Sequence, residues 1–327
     1  MWSDLRISAS TVPWLFGPPR IKWLGSAVLA AAAVAGCGGG GSSSGSMGGA
    51  PPGPSYSFTA DAGVRVPDGV QPVELVVGAT TYMFLSGFVA PNGKVLSSAD
   101  GLTFTAVATT LDGGPLVGTS FSFVARPGGG FRMYYLSGPG SASPGSLYSA
   151  TSSDGVTWTS DAGARILLNT IGVPKVTSLV TGGYRVYYTT SGGPTGIASA
   201  TSNDGLTFTA DAGLRLSPTS DYMWGDPNVV AVGNGYLMSA TQMPASQGQL
   251  TQGYSSIWLA SSPDGLSWTV GANAVITNAA GSPVDSSFVP MGNNGFRVYY
   301  GVFLGTSAVP PPGTKSEVLS GVLAPMM

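Results

Sequence analysis

The chain has no histidine among its 327 residues. That removes Ser–His–Asp triads, Cys–His pairs and histidine metal ligands. Any catalysis must then rest on carboxylates, tyrosine, lysine or a carboxylate-bound ion. Three carboxylates stand out because they do not follow the pattern of their neighbours: Glu74, Asp226 and Asp285. Paired acidic groups can divide the roles of general acid and general base. Around them lie Gln71, Lys175, Asp221, Tyr222, Trp224 and Asn228, of which "SDYMWGDPN" (220–228) holds four. A tryptophan beside carboxylates suits a sugar, whose apolar face stacks on the ring while its hydroxyls take hydrogen bonds. Trp224 could equally fill the space between packed sheets, since tryptophan is mostly buried.

These residues need a scaffold that brings distant stretches together, and the sequence supplies one by repetition. "SADGLTF" (98–104), "SSDGVTW" (152–158), "SNDGLTF" (202–208) and "SPDGLSW" (262–268) place Asp100, Asp154, Asp204 and Asp264 at intervals of 54, 50 and 60 residues. Between them recur "TYMFLSG", "GFRMYYLSG", "GYRVYYTTSG", "GYLMSATQ" and "GFRVYYGVFLG". With 50 Gly, 25 Pro and 9% charged residues, short strands and tight turns are favoured over helices. A period near 50–60 residues with four strand-like runs per unit predicts a β-propeller blade. Counting the inner strands and the aromatic strands beside them gives an all-β, five-bladed β-propeller over 56–327.

The fifth blade lacks its outer strand before the chain ends. The fragment "YSFTADAGVR" (56–65) is the second half of the repeat seen whole in "SNDGLTFTADAGLR" (202–215). Residues 56–66 are therefore expected to pair with 316–323 and close the ring, which removes an exposed sheet edge. Residues that recur from unit to unit serve the fold: the four turn aspartates, Asp61, Asp161 and Asp211, and the arginines 65, 165, 215, 132, 185 and 297.

Aligning the inner strands puts Gln71, Ser120, Val173, Asp226 and Asp285 at the first position of the channel mouth. Glu74, Ser122, Lys175, Asn228 and Ser287 take the third. Closure makes the blades of Asp226, Asp285 and Glu74 consecutive. Tyr222 and Trp224 are expected in a loop beside the channel. Two longer loops, 243–256 and 306–315, would rise on the same face.

The N-terminus reads as an export signal (1–36). Arg20 and Lys22 precede the apolar run "WLGSAVLAAAAVAG", which stops at Cys37, the single cysteine. "VAGC" resembles the lipobox of bacterial lipoproteins. The resemblance implies lipidation of Cys37, a membrane anchor through that lipid, and a cell-envelope address at the outer membrane or surface. Residues 37–55 form a Gly/Ser/Pro-rich flexible tether. The signal carries Arg6, Arg20, Lys22 and Asp4, so 10 basic and 14 acidic residues remain and the exported part has a net charge of −4. No basic stripe exists, which excludes nucleic acid as a partner. A monomer is expected.

The "SxDG"-aromatic turns resemble the Asp-box of sialidases. Together with five blades and the Asp-Pro at an inner-strand start, they make residues 56–327 similar to the five-bladed propeller glycosidases, glycoside hydrolase family 43 and the invertase group. The resemblance implies a carbohydrate ligand at the channel mouth. It also implies, for an inverting enzyme, Asp226 as base, Glu74 as proton donor and Asp285 as tuning acid. In chain order, however, the family draws its base from the first blade, where Gln71 stands here. A non-catalytic glycan-binding propeller and a protein-binding or structural envelope propeller are the other readings. No cofactor is expected; a calcium ion in the channel is conceivable, without a loop motif for it.

Overall fold

The computed structural model describes residues 55–86, 94–136, 145–168, 173–190, 194–245, 255–278, 281–304 and 315–326. All of them fall in the compact unit Gly49–Met327. The signal segment, Cys37 and the tether through residue 54 lie outside the described residues. So do 246–254 and 305–314, the tips of the two longer loops.

The described residues form five sheets, the blades of a β-propeller, antiparallel except where Thr157–Trp158 of blade 2 pairs in parallel with Thr110–Leu111. The inner strands are Pro72–Val77, Thr119–Ala125, Lys175–Ser178, Tyr222–Val232 and Gly281–Gly292. Each touches the next in that order, and the last touches the first. Blades 4 and 5 have the longest inner hairpins, because Gly235–Pro244 and Gly295–Leu304 extend as far as their inner strands do.

The ring closes as the sequence requires. Tyr56–Ala60 pairs with residues 321–325, and Val66–Pro67 pairs with 317–318. Asp61 then ion-pairs with Arg297 and accepts a hydrogen bond from Ser320 Oγ at 2.6 Å. In blade 2 the same contacts join Asp161 to Arg132 at 3.1 Å and to Ser149 at 2.6 Å. In blade 3 they join Asp211 to Arg185 at 3.2 Å and to Ser199 at 2.6 Å. The N-terminal strand thus reproduces, across the two ends of the chain, what the other blades build locally.

The core sits in the seams between blades. Phe84, Phe121, Met133 and Trp158 fill the seam of blades 1 and 2. Tyr134, Leu147, Val186 and Phe208 fill the next. Each such side chain removed from water contributes roughly 1.5–3 kcal/mol.

The "SxDG" turns are structural. Asp204 Oδ1 accepts from Ser202 Oγ, Leu206 N and Thr207 N at 3.0, 2.8 and 3.0 Å, and the other three aspartates repeat the pattern. Gly205 takes the left-handed conformation, φ +72°, that the turn demands. Its carbonyl accepts from Tyr134 Oη of the preceding blade at 2.9 Å. Tyr187 and Tyr299 reach Gly265 and Gly101 in the same way. The repeat therefore encodes the blade-to-blade clasp as well as the turn.

Candidate functional site

The mouth of the channel is built from a recurring distortion. Gln71, Ser120, Asp226 and Asp285 all have positive φ, 53°, 57°, 50° and 52°. They hold equivalent places at or near the start of their inner strands. In blades 4 and 5 strand pairing skips two residues there, between Gly225 and Asn228 and between Val284 and Ser287. Such bulges re-aim a side chain. Aspartate tolerates this backbone better than most residues, and a β-branched residue does not; blade 3 has Val173 in that place and no positive φ. The amide of Asp226 is held by Thr189 Oγ1 of blade 3 at 3.0 Å, and that of Ser120 by Ser86 Oγ of blade 1 at 2.7 Å.

The third positions align as expected. Glu74, Ser122, Lys175, Asn228 and Ser287 face Met83, Tyr134, Tyr187, Ser239 and Tyr299 across their hairpins. Ser122 Oγ accepts from Val176 N at 2.8 Å, and Asn228 Nδ2 donates to Ser286 O at 2.9 Å, so inner strands are stitched across the channel wall.

Gln71, Val173, Lys175, Asp226, Asn228 and Asp285 line one pocket with Ser286. There Asp226 and Asp285 act on each other's ionisation. Burial raises Asp285 well above the usual carboxylate range, and the charge of Asp226 and their mutual hydrogen bond add to it. Burial raises Asp226 as well, while the hydroxyl of Thr241 and the bond from Asp285 pull it back. Both carboxyls therefore hold a proton more readily than free aspartates do. This is the behaviour of like charges forced together, where one member of the pair stays neutral.

Glu74 is placed differently. It does not line the pocket, and both its carboxylate oxygens are shut off from solvent without a hydrogen-bond partner. Burial pushes its pKa to about 7 against the pull of Ser287 and Lys175. Lys175, lowered by burial to about 8, is held up by Glu74. No ion pair within 4.0 Å joins them. Ser287 and Tyr299 of blade 5 also neighbour Glu74.

Two expectations need correction. Residues 222–224 belong to the extended inner strand, not to a loop. Trp224 is 3% exposed and meets Tyr222 and Trp258 edge-on, at 5.4 and 6.3 Å. Its ring packs in the seam of blades 3 and 4 and offers no face to a sugar, because the space-filling demand of that seam wins. Tyr222 is half-buried and Asp221 exposed, neither in the pocket. Glu74 as proton donor at the mouth is likewise not matched by its sealed carboxyl. Sequence reasoning missed Thr241, although "GYLMSAT" puts it where "GYRVYYT" puts Thr189.

No known protein family matches this sequence, and no curated protein is similar to it. Solved structures are similar in shape. A thermostable family-43 glycoside hydrolase aligns with a TM-score of 0.62 at 16% identity, over 80% of this chain and 91% of that one. An endo-1,4-beta-xylanase from Bacteroides thetaiotaomicron gives 0.57 at 11%, over 82% and 97%. A xylan beta-1,4-xylosidase from Bacillus halodurans gives 0.57 at 14%, over 81% and 56%. The likeness establishes the β-propeller fold of glycoside hydrolases for this chain. At these identities it establishes the fold alone.

Proposed function

We propose that the protein binds glycan at the channel mouth without hydrolysing it, displayed on a cell envelope through lipid on Cys37. The observation that carries this reading is that Glu74 is sealed away from the pocket that Asp226 and Asp285 line. An inverting glycosidase needs its acid and base about 6.5–9.5 Å apart, and a retaining one about 5–5.5 Å. With Glu74 shut out, the acid that would stand at such a distance from Asp226 is missing from the pocket. The same pair, with the Lys175 ammonium and the Asn228 and Gln71 amides, offers the acceptors and donors that sugar hydroxyls require. The shape shared with glycoside hydrolases supports a carbohydrate as the ligand class.

The test pairs two measurements on the full chain. Aryl arabinosides, xylosides, fructosides and galactosides are assayed for release of the aryl group, and a glycan panel is screened for binding. Binding that is lost in Asp226→Asn, with no release by the wild type, is the expected result. Turnover by the wild type that disappears in Asp226→Asn would overturn the non-catalytic reading. Membrane partition of the wild type and its loss in Cys37→Ala tests the anchor.

A further inference from the structure

Lys175 brings to the pocket an amine that neither the scaffold nor an ion pair uses. Its side chain is partly exposed and lines the pocket beside Pro72, Val73, Val173 and Pro227. Among the described residues its Nζ makes no hydrogen bond. None of Glu74, Asp226 and Asp285 comes within 4.0 Å of it. Lys94 and Lys315 are exposed to water instead, and Lys22 lies outside the described residues. Apolar walls disfavour an ammonium and leave lysine as a free, nucleophilic amine. Burial accordingly lowers Lys175 to about 8, with Glu74 pulling the other way. Asp226 and Asp285 stand in the same pocket and can supply a proton there. An unpaired amine and a carboxylic acid in one pocket are the parts that imine formation needs.

We propose that Lys175 captures an aldehyde as an imine, and that the aldehyde is the open-chain form of a reducing sugar. This rests on the reading of the mouth as a glycan site and adds a covalent step to it. The Nζ lone pair attacks the C1 carbonyl carbon, and one nitrogen-bound proton moves to the carbonyl oxygen to give a carbinolamine. Asp226 or Asp285 then protonates that oxygen. The C–O bond breaks, water leaves, and the C=N bond forms as the remaining proton on nitrogen returns to the carboxylate. Amine and aldehyde go to imine and water, so no oxidant or reductant is consumed. Hydrolysis reverses the step and frees the sugar.

The test uses the folded full chain at about pH 8, incubated with glyceraldehyde or with xylose. Cyanoborohydride is present to fix any imine as a stable secondary amine, and the labelled peptides are quantified by mass spectrometry. Both aldehydes should label Lys175 about tenfold faster than Lys94 or Lys315. In urea the three lysines should react alike, because the pocket is gone. Methyl xyloside, which has no aldehyde, should label none of them. Equal labelling of the three lysines in the folded chain, or a preference that survives in urea, overturns the inference; the glycan reading is judged separately by its binding panel. Labelling of Lys175 by glyceraldehyde alone overturns the assignment of a sugar as the aldehyde.

Discussion

Replacing Glu74 by glutamine keeps the shape of the side chain and removes one titrating group from the channel. In the folded protein burial raises the Glu74 pKa from an unfolded value of 4.5 to about 7. Between those values the native state binds more protons than the unfolded one. Stability contributed by the neutral carboxyl is thus present at low pH and lost as pH rises through that window. From about pH 5 to about pH 7.5, the loss assigned to this group is on the order of 2 kcal/mol. Glu74→Gln should abolish it. Lys175 moves the comparison in the same direction: without Glu74 its ammonium is easier to deprotonate, and a base lowered by burial gains stability as pH rises. Asp226 and Asp285 titrate in both proteins and cancel in the difference. The assay is urea unfolding of the wild type and the variant at both pH values and matched ionic strength. The variant should be close to the wild type at the lower pH and more stable by about 2 kcal/mol at the higher. Parallel pH profiles would refute the burial of Glu74, and with it the argument that removes this carboxyl from catalysis.

Three further outcomes follow from the scaffold. Asp61→Ala leaves the partly buried Arg297 without its counter-charge and should cost about 2 kcal/mol in thermal unfolding, as Asp211→Ala should in blade 3; a neutral Asp61→Ala would separate ring closure from the rest of the repeat. Tyr134→Phe leaves the Gly205 carbonyl without its 2.9 Å donor and should cost about 1–2 kcal/mol, read from the denaturation midpoint. Gly205→Ala puts a Cβ 2.5 Å from Tyr134 Oη at φ +72°, and should destabilise by about 2 kcal/mol or more; an unchanged melting temperature would contradict the clasp.

Most of the scaffold was legible because its information is local and repeated. The Asp-Gly turns specify their own hydrogen bonds, and the half-repeat at 56–65 announces the closure by what it lacks. The channel alignment was also legible, since spacing from the neighbouring aromatic strand carries Glu74, Lys175 and Asn228 to equivalent places. The depth of each side chain in the channel was not. Lys175 and Asn228 stand two residues after Val173 and Asp226 and line the pocket, whereas Glu74 stands three residues after Gln71 and does not. Trp224 misled for a related reason: the long hairpin of blade 4 continues through it, and the seam takes its ring. The joint presence of Asp226 and Asp285 in one pocket rests on two left-handed residues from adjacent blades, and spacing alone says nothing of that.

A crystal structure of the full chain with a glycan that binds it tests the central claim most directly. The expected result is a sugar seated at the mouth between blades 4 and 5, its hydroxyls about 2.7–3.2 Å from carboxylate oxygens of Asp226 and Asp285. A sugar bound elsewhere on the propeller would contradict the account.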